Sequence, residues 1–262
     1  ISFDRGESFS QPVQLVQKGY QEEHPARGVI YRENSIVISF CSPTKVNNKI
    51  LLPCQKNPVN SDFNHPFSIK WQAGCFIGKW KNKRIEWELS ETVKISPELS
   101  SRGLCEPTIA ELENGTLLMV MRGSNAGMKD KPGYKWMSIS KDGGYTWSKP
   151  SPFTYSNGEN FFSPATGSVL VRSIKNGNLY WIGNITPENP DGNRPRYPLM
   201  IGTVDEKKKG IVKNSVKVIE NRRKNDSPNV QFSNFRVYQD KKTKEIVLIM
   251  ARIEEKAPGD LT

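Results

Sequence analysis

The chain has 262 residues, a net charge of +11, a mean hydropathy of −0.60 and 35% hydrophobic content, enough to bury a substantial core but with no apolar run long enough to span a bilayer as a helix. Its basic balance would suit nucleic acid or an acidic glycan. However, many of the cations sit in turn-like clusters such as Lys207-Lys208-Lys209, Arg222-Arg223-Lys224 and Lys241-Lys242, and no stacking-aromatic motif of a nucleic-acid module accompanies them.

The first segment, SFDRGESF at 2–9, returns as SKDGGYTW at 140–147; both read Ser-x-Asp-x-Gly-x-x-aromatic and both continue as Ser-x-Pro. Residues 14–34 are polar, with one strand candidate at 29–31. Strands are expected over 35–41 and 49–55 around an Asn47-Asn48 turn. A long loop over 56–72, carrying His65 and Trp71, separates them from strands over 73–80 and 85–89. The next unit alternates over 106–112 and 116–122 around Asn114-Gly115, a strong hairpin signal, and closes with strands over 134–140 and 145–148. The plan repeats as 163–172, an Asn176-Gly177 turn, 179–184, a loop rich in Pro, Asn and Gly, 196–204 and 212–219. A last pair covers 230–238 and 245–252.

No amphipathic helix of three turns is evident. The recurrence, every ~45 to 65 residues, is that of a repeat architecture. It divides a single domain, 1–262, into a tail at 1–13, units at about 28–95, 105–150 and 163–221, and a partial unit at 229–262. Because the chain starts inside the first motif, with no signal-peptide pattern, it is expected to be a piece of a longer domain.

Four cysteines, Cys41, Cys54, Cys75 and Cys105, and two histidines lack metal-ligand spacing, so no metal or cofactor is expected. Buried free thiols are the main expectation for the cysteines, one or two disulfides the alternative.

The repeated motif has the chemistry of a turn. An Asp carboxylate can accept hydrogen bonds from backbone N–H groups just ahead of it, while a glycine supplies positive φ. The aromatic residue then offers an apolar face. Ser2, Asp4, Gly6 and Phe9, with Ser140, Asp142, Gly144 and Trp147, therefore read as scaffold. This spacing resembles the Asp-box, or BNR repeat, of the sialidase (neuraminidase) superfamily, where it joins the third and fourth strands of a blade. The resemblance implies an all-β, six-bladed β-propeller, present as an incomplete fragment. The resemblance favours a secreted or periplasmic location, and the expected partner is an acidic glycan or glycoside, with no nucleic acid, no membrane span and a monomeric protein.

In an antiparallel four-stranded blade, the starts of strands one and three and the end of strand two share a rim. Glu106, Arg122 and Arg196 are expected there, opposite Asp4 and Asp142. Phe232 and Arg252 belong to the same rim, and His24, Arg27 and the loop with His65 and Trp71 approach it. Guanidinium groups around one carboxylate suit a carboxylate-bearing ligand. Residues 105–124 resemble the sialidase stretch carrying the catalytic Glu and a triad arginine, which implies those roles for Glu106 and Arg122. Residues 194–210 resemble the stretch opening on the third arginine, giving Arg196, with Arg194 as the alternative. QFSNF at 231–235 resembles the segment of the nucleophilic tyrosine, and here that position is Phe232. The expectation is a sialidase-like exo-glycosidase with a Glu base. The alternatives are a non-catalytic acidic-glycan-binding propeller and a uronate-directed lyase.

Overall fold

The structure, a computed structural model, describes residues 4–11, 36–39, 41–57, 70–81 and 84–257. Ser2, His24, Arg27, His65 and the strand expected at 29–31 lie outside the described residues.

The first sheet holds β1 (Ile36–Ile38), β2 (Thr44–Val46), β3 (Lys49–Lys56), β4 (Gln72–Lys81) and β5 (Arg84–Leu89) in the order β1-β3-β4-β5, with β2 also paired to β3. The second runs β6 (Cys105–Glu111), β7 (Leu117–Arg122), β8 (Lys135–Ser140) and β9 (Ser151–Pro152) in chain order. The third runs β10 (Val169–Arg172), β11 (Leu179–Asn184), β12 (Leu199–Asp205) and β13 (Gly210–Ile211), with β14 (Lys217–Glu220) also on β12. A last pair is β15 (Arg236–Gln239) with β16 (Ile246–Ile249). All of these strand pairs are antiparallel.

Alternation along each strand sends side chains to both faces of a sheet, and the apolar ones meet between neighbouring sheets. Leu51, Cys75 and Ile77 of the first sheet pack on Leu117, Met119 and Met121 of the second. Leu118, Val120 and Phe153 of the second meet Leu170, Leu179 and Trp181 of the third. Val169, Ile182 and Leu199 of the third meet Phe232, Phe235 and Val237 beside the last pair. Residues of β2, β6, β10 and β15, the inner strands, line a common cavity of about 910 Å³. Meanders stacked face to face around a shared inner cavity make a partial β-propeller. Among the described residues no helix is long and apolar enough to cross a membrane.

Several expected boundaries move, for local reasons. The strand expected over 35–41 is regular only as β1, and the chain then passes Ser42-Pro43 and re-forms as β2, the true hairpin partner of β3 across Asn47-Asn48. Residues 145–148 form no strand, and the outer strand is the two-residue β9. Pro164 and Gly167 delay the third sheet until Val169. Pro195 and Pro198, which lack an N–H, delay β12 until Leu199. The four cysteines are buried and free, not bridged. Burial pushes the Cys41 and Cys105 thiols up to about 11 and Cys75 up to about 12, so they are inert near neutral pH.

Candidate functional site

Register decides which residues meet. Cys105 lies opposite Arg122, and Arg122 opposite Lys135, at one end of the second sheet, whereas Leu117 lies opposite Ser140 at the other. Asp142, two residues beyond Ser140, is therefore at the end of the blade away from Glu106.

At that far end the turn closes as its residue types dictate. The Asp142 carboxylate accepts from Tyr145 N–H (3.0 Å), Thr146 N–H (3.0 Å) and the Thr146 hydroxyl (2.6 Å). Ser140 Oγ donates to Asp142 Oδ1 (2.7 Å) and accepts from Gly144 N–H (2.9 Å). Partial burial opposes ionisation of Asp142, but the Thr146 and Ser140 hydroxyls and two N–H groups outweigh it and hold its pKa at about 2. The first turn has the same design, since Asp4 accepts from Ser8 N–H (3.0 Å) and the Ser8 hydroxyl. Gly6 and Gly144 both stand at φ +98°. The aromatics differ, Trp147 packing against the core while Phe9 is 74% exposed.

At the opposite rim, a shift in the β6–β7 register between Cys105 and Thr108 leaves Glu106 in a left-handed conformation, φ 47°. A bulge of this kind re-aims a side chain at the end of a strand. Glu106 N–H donates to Gln55 Oε1 of the neighbouring sheet (2.7 Å), and its carboxylate accepts from Arg122 Nη1 (2.7 Å). Arg122 Nη2 donates to Asn193 Oδ1 (3.1 Å). Arg196 joins the same residue, its Nε donating to the Asn193 carbonyl (3.1 Å), while its Nη1 donates to Gln231 Oε1 (2.9 Å) and Ser233 Oγ (3.1 Å).

Electrostatically the two arginines differ. Arg122 is paired with Glu106, whereas the hydrogen-bond partners of Arg196 are neutral oxygens. Burial first, then the like charges of Arg122 and Arg194, push Arg196 down to about 10. A partly desolvated cation in this state would gain from an added anion.

The other expected site residues fall elsewhere. Arg194 is engaged by Glu254 (2.7 Å) and the Asn229 carbonyl. Arg252 belongs to an acidic cluster with Glu255 (2.7 Å), Asp226 (2.5 Å) and Glu220 (3.1 Å). Its guanidinium lies 4.9 Å over the Phe232 ring. Phe232 is 0% exposed and packs in the core, so its ring forms a floor beneath Arg252 and not the open ligand contact that was expected of it. Trp71 forms a backbone bridge to Gly103, two residues before Cys105. Gln55, Asn193, Gln231, Ser233 and the buried Lys135 were not anticipated. Gln231 and Ser233 lie within the QFSNF stretch, and Lys135 is a charge within the strand pattern YKWMSIS. Among the described residues no cluster of His, Cys, Asp and Glu could hold a metal ion.

Among curated proteins no match was found. Solved structures with this fold include the NanB sialidase of Streptococcus pneumoniae in complex with 2-[(3-chlorobenzyl)ammonio]ethanesulfonate, at 14% identity and TM-score 0.56 over 99% of this chain and 33% of that one. A GH43_1 enzyme of Xanthomonas citri aligns at 10% identity and TM-score 0.52, over 89% and 75%. An N-acetylgalactosamine deacetylase of F. plautii, in complex with blood group B trisaccharide, aligns at 10% and 0.51, over 82% and 64%. The chain thus spans about a third of the length of the NanB sialidase. At such identities the likeness is one of fold, sialidase-like and propeller-based. The family comes from the sequence itself: residues 1–244 match the BNR repeat-like domain, and the chain belongs to that sialidase-like BNR repeat family.

Proposed function

We propose that the Glu106 rim is the working part of a sialidase-like site for a carboxylate-bearing glycan. Arg122 and Arg196 hold the sugar carboxylate, and Glu106 acts as a general base on water in exo-glycosidic hydrolysis. The observation that carries this reading is Arg196, hydrogen-bonded to neutral oxygens and joined through Asn193 to a second guanidinium whose own carboxylate is at 2.7 Å. Two guanidinium groups held by one asparagine match a carboxylate better than a neutral hydroxyl. Glycan substrates also fit the company of the fold, which includes a sialidase and a protein holding a blood group trisaccharide.

The same reading takes the turns at Asp4 and Asp142 as Asp-boxes, the chain as one propeller domain, and six as the blade number of the whole. Arg27 remains a proposed contributor to the rim. Arg252 and Phe232 contribute indirectly, as a packed wall behind it.

One observation favours a second reading, a binding propeller without turnover. Phe232 has no oxygen to attack an anomeric carbon and is sealed in the core. Fluorogenic glycosides of sialic acid and glucuronic acid, run beside a glycan array on the full-length protein, separate the two. Release of fluorophore supports hydrolysis, array binding alone supports the lectin-like reading, and neither overturns both.

A further inference from the structure

Lys135 is fully buried, the single described lysine that is. A lysine buried at the start of a strand gives up hydration and rotamer freedom, so its surroundings must satisfy the ammonium. They do. Lys135 Nζ donates to the carbonyls of Pro164 (2.9 Å) and Thr166 and to Thr166 Oγ1 (3.3 Å), which matches the three donors of an ammonium.

Those acceptors belong to the segment leading into the third sheet, and that segment holds a second contact. Ala165 N–H, between the two clamped carbonyls, donates to the Gly192 carbonyl (2.8 Å). Gly192 is followed by Asn193, which takes Arg122 on its side chain and Arg196 on its carbonyl. Arg122 is in turn the cross-strand partner of Lys135. The contacts form a closed circuit: Lys135, the 164–166 segment, Gly192, Asn193, Arg122 and back to Lys135.

We propose that Lys135 is the positioning residue of the guanidinium pair: by clamping the 164–166 segment it sets where Gly192 lies, and so where Asn193 holds Arg122 and Arg196. The titratable neighbours act on Lys135 in both directions. Burial, then Arg122, push Lys135 down to about 7, Glu106 and Cys105 push it up, and Arg196 pushes it down. Lys135 touches no substrate in this scheme. Its effect on a ligand rests on the carboxylate-site reading, whereas its effect on the arginines does not.

The test uses the full-length protein with ¹⁵N-labelled arginine. In the ligand-free wild type, Arg122 and Arg196 should show guanidinium resonances of hindered, hydrogen-bonded groups. Lys135→Met should shift and broaden both. Thr166→Val, which removes one acceptor and keeps the side chain's shape, should move them less and in the same direction, and it serves if the Met variant does not fold. Affinity for glucuronate and for free sialic acid should fall about tenfold in Lys135→Met and in Asn193→Ala, the order expected of a small misplacement. The double variant should be no weaker than the weaker single, because both act through one path. Unchanged Arg122 and Arg196 resonances in both Thr166→Val and Lys135→Met overturn the proposal, as do additive losses of affinity. A wild type that binds neither sugar acid refutes the carboxylate reading instead, and the resonances then judge the positioning role alone.

Discussion

Glu106 and Arg122 are sixteen positions apart and joined at 2.7 Å, at the end of the second sheet where the β6–β7 register shifts and Glu106 stands at φ 47°. The ladder from Thr108↔Val120 to Glu111↔Leu117, continued regularly, would set residue 106 opposite Arg122, whereas the shift gives that place to Cys105. Glu106 keeps its carboxylate on Arg122 while its N–H turns to Gln55 of the neighbouring sheet (2.7 Å), so the irregularity ties the acid–arginine pair to a second sheet.

That pairing makes the outcome of Glu106→Gln specific. The amide oxygen can still accept from Arg122 but without the charge, so the fold should lose about 1 to 2 kcal/mol. Removing the negative charge leaves both guanidiniums uncompensated and should strengthen carboxylate binding several-fold, while any turnover falls at least a hundredfold, as expected for loss of a general base. Parallel calorimetry and fluorogenic kinetics read both. Weaker binding of a carboxylate ligand would show that Glu106 contacts the sugar directly.

Asp142 should behave as scaffold. Its carboxylate is solvent-exposed, so its hydrogen bonds are discounted for screening and Asp142→Ala should cost about 1 kcal/mol. The sign of the pH effect follows from a folded pKa of about 2 against an ordinary value of about 3.9. The contribution is fully present above pH ~4 and is lost as pH falls through about 2. Urea unfolding at pH 7 and pH 2 should show the wild-type advantage at the first and not the second, with ligand affinity the same in both proteins.

Much of this was legible in the sequence, and the reason is locality. Asn114-Gly115 and Asn176-Gly177 fix their hairpins within a few residues: Thr116 N–H donates to Asn114 Oδ1 (3.1 Å), Asn178 N–H to Asn176 Oδ1 (3.1 Å), and the two glycines stand at φ 79° and 77°. The Asp142 turn is equally self-contained. Glu106 and Arg122 were findable because their strands are consecutive. The edge strands β9 and β13 were not, since two residues carry no period. Lys135 and the Asn193 side chain escaped because the partners they take, the 164–166 segment and Arg122, are distant in sequence, and no sequence pattern states that Gly192 rests on Ala165.

Gly103 offers a steric test of the rim. At φ +67°, an added Cβ would lie 2.2 Å from the Trp71 carbonyl oxygen and 2.7 Å from its nitrogen. Backbone atoms cannot give way cheaply, so Gly103→Ala should cost about 2 kcal/mol or more. Thermal unfolding should show a drop of several degrees. An unchanged melting temperature would mean that the Trp71 segment does not pack on Gly103.

Lys135 adds a pH dependence of the opposite reach. Its folded pKa, pushed down by burial first and Arg122 second to about 7, lies below an unfolded value of about 10.4. Between the two the unfolded chain binds more protons, so this residue makes stability rise with pH from about 7 to about 10. Below pH 7 both states are protonated and the full cost of burying the ammonium is present. The difference in unfolding free energy between wild type and Lys135→Met, followed across that window by denaturant titration, isolates the term. A flat difference would mean that the ammonium keeps its ordinary pKa inside its three-acceptor clamp.

The central claim, a carboxylate site at Arg122 and Arg196, is tested most directly by calorimetric titration of the full-length protein. Glucuronate and sialic acid would be compared with their neutral methyl esters, in the wild type and in Arg196→Ala. A charge-assisted hydrogen bond is worth about 1.5–3 kcal/mol. The account therefore predicts that the acids bind at least tenfold more tightly than the esters in the wild type, and that this preference collapses in Arg196→Ala. Equal affinity for acid and ester, or a preference that survives the loss of Arg196, would contradict it.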